Sequence, residues 1–336
     1  VIPAPEFTFL MCSERSGSNL ISRMFDAHRS VCAPTPAHLV RVLGENRHRY
    51  GDPADPAEWR RLLDDTVDLL VSTVGPWRTT WTADELDQAA DGRDLPGLLR
   101  GVLRAEARAG GKTSLFLKEN HLHRYLPFVQ RAFPGLRIVA MVRDPRDMAL
   151  SWKRSPILRG DVVRAARVWQ NDQDELVRIM GWLGPDEGIH QLTYEQLVTD
   201  PETRLAETCA FLGLDMDPAM LEFHSRGASR EHASRSDDWK NVARPVMRDN
   251  FAKWREGLTG AEAAYVERMC AGSMAFFGYD CETDDPRSLA ELEAELLPLE
   301  RQEKPAWQDV PADEKRLRSA RYEVVQRIAN AEPAHV

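Results

Sequence analysis

The sequence predicts an α/β fold of three layers, a central and mostly parallel sheet with helices on both faces, extended by a helical insert and a C-terminal helical appendage. Three observations predict it. Short apolar runs of strand length alternate with amphipathic helical segments over residues 7–212. Two of the strand-to-helix turns carry anion-binding chemistry. Past about residue 280 the pattern changes to two amphipathic segments separated by prolines.

Strands are expected near 7–12, 114–118, 137–142 and 188–193, and helices near 19–28, 122–132, 147–153, 162–181 and 201–212. The continuous apolar run Phe7-Thr-Phe-Leu-Met-Cys12 reads as a buried strand. After it, Ser16, Gly17 and Ser18 let the backbone close around an oxyanion, and Leu20, Ile21, Met24 and Phe25 then follow at helical spacing from Asn19. Free amides at that helix start, its dipole and the Arg15 guanidinium all suit one phosphate. The plain alternative is a Ser-rich turn between two core elements.

A long segment, about 33–110, holds Trp59, Trp77, Trp81 and repeated Leu-Leu pairs, and reads as a mostly helical insert. The strand Arg137 to Val142 leads into Arg143-Asp-Pro, where Asp144 suits a cap, Pro145 the first helical position and Asp147 the first turn. Ser151 lies roughly 9 Å along that helix from Pro145, at about 1.5 Å per residue, so it and Arg143 can reach one phosphate. Pairing of Arg143 with Asp147 is the alternative. Ligands of open α/β sheets sit beyond the carboxyl ends of the strands, which puts both loops on one edge, with the insert as the expected roof and acceptor site. Most of the insert's aromatics should be ordinary core.

With 336 residues, 43% hydrophobic and 29% charged, the chain can bury one large core, or a core plus an appendage. A net charge of −9 disfavours a nonspecific nucleic-acid binder. No apolar run approaches the about 18 residues that span a bilayer, and no basic-then-apolar leader pattern opens the sequence, so a cytoplasmic location is expected. Five cysteines without close pairing argue against a disulfide framework or zinc site. His28, His48, His190, His224, His232 and His335 lack metal-binding spacing, so no metal is expected. Arg-rich, Lys-poor composition with abundant Ala and Asp points to a GC-rich bacterial genome.

Two motifs carry a family resemblance. Arg15-Ser-Gly-Ser-Asn resembles the 5′-phosphosulfate loop of sulfotransferases that use 3′-phosphoadenosine 5′-phosphosulfate (PAPS), and Arg143 with Ser151 resembles their 3′-phosphate pair. Leu192-Thr-Tyr194-Glu195-Gln-Leu197 is similar to the segment whose Tyr lies near the adenine. Asn241-Val-Ala-Arg244-Pro245 with Phe251 to Thr259 resembles the late segment of bacterial and tyrosylprotein-type members, where a basic residue closes over the nucleotide. The matches cover about residues 6–280 in the expected order.

The resemblance implies a P-loop-like three-layer sandwich, with a sulfotransferase domain over 1–280 and a helical extension over 281–336. It implies PAPS as co-substrate, 3′,5′-phosphoadenosine (PAP) as product, no metal, and a nucleotide held by Arg15, Ser16, Gly17, Ser18, Asn19, Arg143, Ser151, Tyr194 and Arg244. Lys118, ending Ser114-Leu-Phe-Leu-Lys118, resembles the lysine that contacts the sulfuryl oxygens; a snorkelling lysine is the alternative. Where cytosolic relatives place a catalytic His, two residues on, this chain has Asn120. The carboxylate that another branch places after the first helix is also missing from Ala33-Pro-Thr35-Pro-Ala-His38.

The nearest candidate for the general base is His38, with His121 and Glu119 as runners-up that strand alternation turns away from Lys118; the alternative for each is an ordinary surface or core side chain, with an acceptor acidic enough to need no strong base. The reaction would be in-line displacement at sulfur, with Arg15 and loop amides stabilising the leaving oxygen. The acceptor is a hydroxyl or amine, bulky and partly apolar if the Trp-rich insert contacts it. The C-terminal helices either pack on the body, make a homodimer or cover the acceptor cleft. Rival readings are a P-loop kinase or ATPase, prompted by Gly110-Gly111-Lys112-Thr113 but failing on spacing because Glu106 stands where glycine is needed, and a catalytically silent nucleotide-binding module.

Overall fold

Period-two alternation along the first strand sets up both layers of the core. In β1 (Phe7–Cys12), Phe7, Phe9 and Met11 enter one apolar layer and Leu10 and Cys12 the other. The computed structural model describes residues 4–183, 188–300 and 304–333; His335 lies outside them. β1 is followed by α1 (Ser18–Ala27), β2 (Val31–Cys32), α2 (Leu39–Glu45), α3 (Pro56–Val71), α4 (Ala83–Ala89), α5 (Leu95–Ala109) and β3 (Ser114–Lys118). Next come α6 (Leu126–Ala132), β4 (Arg137–Val142), α7 (Pro145–Arg154), α8 (Val162–Leu183), β5 (Ile189–Thr193), α9 (Tyr194–Thr199) and α10 (Pro201–Phe211). The chain continues through α11 (Gly227–Ser234), α12 (Trp254–Gly257), α13 (Gly260–Phe277), α14 (Leu289–Leu296) and α15 (Ala312–Asn330).

The sheet is all parallel in the order β2-β3-β1-β4-β5, with Phe9 opposite Leu117 on β3 and Ile138 on β4. From β1 the chain runs out to β2, returns to β3, then crosses to β4 and β5, so a crevice opens at the carboxyl ends of β1 and β4. β2 escaped sequence reading because two residues carry no periodicity. The helices that flank the crevice begin where their caps dictate. Asp144 accepts from the Arg146 amide at 2.8 Å with Pro145 next to it, and Thr193 and Gln196 form a reciprocal capping box.

Residues 33–110 contribute α2 to α5. Trp59 is 2% exposed and the Trp77 indole donates to the Thr35 carbonyl at 2.8 Å, so these rings are spent on packing. At the C-terminal end, α14 packs on α13 through Leu292 and Leu296, and α15 packs on α3, burying Ile328 and pairing Arg327 with Asp65 and Asp68 at 2.7 Å each. The apolar stripe of α15 is thus used within the chain. Gly110 to Thr113 lies where α5 ends and β3 begins, and Lys112 reaches Asp26; a phosphate loop needs the reverse order, strand then helix. No described helix is long and apolar enough to cross a membrane.

Candidate active site

The turn after β1 is built from left-handed backbone at Arg15 (φ 66°) and Gly17 (φ 87°). A Cβ at Gly17 would lie 2.3 Å from Tyr194 Cδ2, so the ring packs directly on bare backbone and only glycine fits. Leu20 and Ile21 donate to the Gly17 carbonyl at 2.9 and 3.4 Å, leaving Ser18 and Asn19 to open the helix. Ser16 Oγ is buried without a hydrogen-bond partner among the described residues.

The turn after β4 meets this one directly. Arg143 Nη1 donates to the Arg15 carbonyl at 3.0 Å, across 128 residues of sequence, and Arg15 Nε donates to Ser151 Oγ at 3.1 Å. The Arg143 guanidinium lies 4.4 Å from the Tyr194 ring centroid, while its Nε is buried and unpartnered among the described residues. Its carbonyl accepts from the Trp169 indole at 2.9 Å. Asp147 does not take up Arg143. Its two oxygens accept the amides of Ala252 at 2.5 Å and Trp254 at 2.9 Å, buckling the late segment onto α7, and burial raises its pKa against the pull of Arg143.

The cleft between these turns has a volume of 590 Å³, within the roughly 300–1,000 Å³ of ligand sites. Arg15, Gly17, Ser18, Asn19, Lys118, Arg143, Ser151 and Tyr194 line it. Lys118 Nζ donates to Asn19 Oδ1 at 3.1 Å, and burial lowers its pKa. The roof is not the insert, none of whose residues line the cleft; it is the segment 237–253. From that segment Asp238 pairs with Arg15 at 3.0 Å while accepting from Ser155 Oγ at 2.8 Å, and Asn250 donates to the Tyr194 hydroxyl at 2.7 Å.

Five expected residues do not line the cleft. Ser16 is fully buried within the turn itself. Arg244 is exposed and outside the cleft lining, although its neighbours Val242 and Pro245 are in it. Glu119 faces away from Lys118, as alternation along β3 requires, and its two oxygens take the Val40 amide at 3.2 Å and His38 Nδ1 at 3.3 Å. Burial pushes the Glu119 carboxyl up to about 7 and, with Arg41 and Arg321 nearby, holds His38 well below its ordinary value, so the two are spent on each other and on the start of α2. His121 sits 3.4 Å from Asp172, in a separate pocket with Arg124 and Arg167. Sequence reading missed Glu14, Asp238, Asn250 and Lys253, all of which line the cleft. Glu14 lies between the two stretches that were read, Lys253 sits inside Phe251 to Thr259 with nothing to single it out, and Asp238 and Asn250 belong to irregular chain with no periodicity to read.

The sulfotransferase family profile matches residues 8–218, from the first strand through the second anion loop and beyond. This chain belongs to the sulfotransferase family. The fold agrees. The sulfotransferase domain of the Synechococcus PCC 7002 olefin synthase superposes with a TM-score of 0.58 at 20% identity, covering 84% of this chain and 98% of that one. A sulfotransferase domain from the curacin biosynthetic pathway gives 0.58 at 17% identity, covering 84% and 100%. Carbohydrate sulfotransferase 3 of Tetronarce californica is 26% identical over 195 residues, 51% of this sulfotransferase and 42% of that protein. Carbohydrate sulfotransferase 5 of Mus musculus is 25% identical over 167 residues, 43% and 42%. The chain therefore spans less than half the length of these two relatives.

Proposed function

We propose that the chain transfers a sulfuryl group from PAPS to a hydroxyl of a small-molecule, lipid, glycan or carrier-bound acceptor, with residues 1–280 as the transfer domain. The observation that carries this reading is the direct contact of the two anion loops, Arg143 to Arg15 at 3.0 Å and Arg15 to Ser151 at 3.1 Å. A doubly phosphorylated adenosine offers one anion to each loop. The donor set fits such a ligand: Ser16 Oγ and Arg143 Nε are buried donors without protein partners among the described residues, and the Ser18 and Asn19 amides open a helix.

On this reading Arg15, Ser16, Gly17, Ser18 and Asn19 hold the 5′-phosphosulfate, and Arg143 and Ser151 the 3′-phosphate. Tyr194, packed between Gly17 and Arg143, sets the floor beside the adenine. Lys118 and Arg15 stabilise the charge that grows on the bridging oxygen as it leaves sulfur, which is preorganised electrostatics and asks for no metal in principle. A Mg²⁺-dependent kinase is disfavoured by the placement of Gly110 to Thr113 at a helix end.

Calorimetry with PAP in the presence of a chelator, followed by turnover of ³⁵S-labelled PAPS, tests the proposal. Tight PAP binding and label transfer are expected. ATP turnover requiring Mg²⁺ would support the kinase instead, and PAP binding without transfer to any acceptor would support a silent module.

A further inference from the structure

Sulfuryl transfer to a hydroxyl leaves a proton to be taken, and the three residues expected to take it lie outside the cleft. Among the described residues that line the cleft there is no imidazole, and the carboxylates are Glu14, Asp147, Asp237 and Asp238. Three are committed. Asp147 holds two backbone amides, Asp238 holds Arg15 and Ser155, and Asp237 is 84% exposed beside Lys240 at 3.6 Å. Glu14 differs. Its Oε1 accepts from Asn120 Nδ2 at 3.1 Å, and it lines the cleft alongside Lys118 and its chain neighbour Arg15.

We propose that Glu14 is the general base of this enzyme, removing the proton from an acceptor hydroxyl, with Asn120 holding its carboxylate in place. This rests on the sulfuryl-transfer reading above. Asn120 is itself fixed, its carbonyl accepting from the Tyr125 hydroxyl at 2.9 Å. Its amide oxygen is buried and unpartnered among the described residues, a polar atom that a bound acceptor would satisfy. In the step, the acceptor oxygen forms a bond to sulfur, its proton passes to Glu14, and the bond from sulfur to the bridging phosphate oxygen breaks. The electron pair leaves on PAP beside Arg15 and Lys118, and Glu14 then returns the proton to water.

The test compares acceptors that need a base with one that does not. ³⁵S-labelled PAPS is turned over with water, with a simple aliphatic alcohol, and with 4-nitrophenol in mildly alkaline buffer, where it is already ionised. Glu14→Gln is expected to slow the alcohol and water reactions by about 10²- to 10⁴-fold, to leave 4-nitrophenolate transfer within about threefold, and to bind PAP at least as tightly as wild type. Equal slowing of all three, or of none, overturns the assignment. Should the wild type use none of these acceptors, a crystal structure of its PAP complex decides: a Glu14 carboxylate beyond about 7 Å from the 5′-phosphate is out of hydrogen-bond reach of an attacking hydroxyl and overturns it, and one inside that range supports it. Failure of the wild type to bind PAP would instead defeat the sulfuryl-transfer reading itself.

Discussion

Replacing Arg143 with alanine removes three interactions whose consequences separate cleanly. The hydrogen bond to the Arg15 carbonyl at 3.0 Å and the cation 4.4 Å from the Tyr194 ring centroid both shape the empty protein. Their loss, about 1.5–3 kcal/mol for a hydrogen bond from a charged donor and about 0.5–2 for the cation–π contact, loosens the first loop and weakens every nucleotide alike. The third interaction exists only with a 3′-phosphate. A hydrogen bond to a charged group contributes about 1.5–3 kcal/mol, so the preference of PAP over 5′-AMP should fall roughly 12- to 140-fold. Calorimetry of both nucleotides on wild type and Arg143→Ala reads that ratio, in which the general loosening cancels. Arg143→Lys should recover only part of it, because an ammonium lacks the planar fork. An unchanged ratio, with both nucleotides weakened equally, would refute the assignment of Arg143 to the 3′-phosphate.

Asp238→Asn frees the Arg15 guanidinium from its 3.0 Å partner and removes a carboxylate from an anion site, so PAP should bind about 3- to 30-fold more tightly; weaker binding by calorimetry would contradict this. Gly17→Ala puts a Cβ 2.3 Å from the Tyr194 ring at a φ of +87°, which should cost about 1–3 kcal/mol in chemical denaturation and lower PAP affinity with it. Glu119 gives a pH signature. Its folded carboxyl titrates at about 7 against an ordinary 4.5, so the folded state holds the extra proton; the stabilisation is full below about 4.5 and is lost as pH rises through 7. Wild-type stability should decline across that window by at most about 3 kcal/mol, and Glu119→Gln should flatten the decline in urea unfolding at pH 5 and 8; an identical slope in both proteins would count against it.

Several features of this protein are determined by short stretches of sequence alone. Phe7 to Cys12 and Arg137 to Val142 read as strands because each packs five apolar residues into six positions bounded by turn residues, too short a run for a buried helix. The start of α7 follows from Asp144 and Pro145, and the glycine turn from Ser16 to Ser18, because caps and left-handed turns are local requirements of backbone geometry. Those interactions span a few residues, so the two strand-to-helix turns and four of the five strands could be read directly. α15 shows the limit even for a helix: an amphipathic segment past the prolines was legible, but its bounds, Ala312 to Asn330, were not.

What only the tertiary structure decided is how side chains far apart in sequence divide the space. His38 and Glu119 have the right chemistry for catalysis, but the side of β3 on which Glu119 emerges pairs them with each other at the start of α2, away from the cleft. The roof of the cleft comes from 237–253, a segment without periodicity, held there by two backbone amides on one buried carboxylate, Asp147. The contact of Arg15 with Arg143 and Ser151 depends on β4 lying beside β1, a pairing set by the packing of two apolar layers and by no motif in either strand. Residue types and local turns are written along the chain; the distances between them are produced by burial.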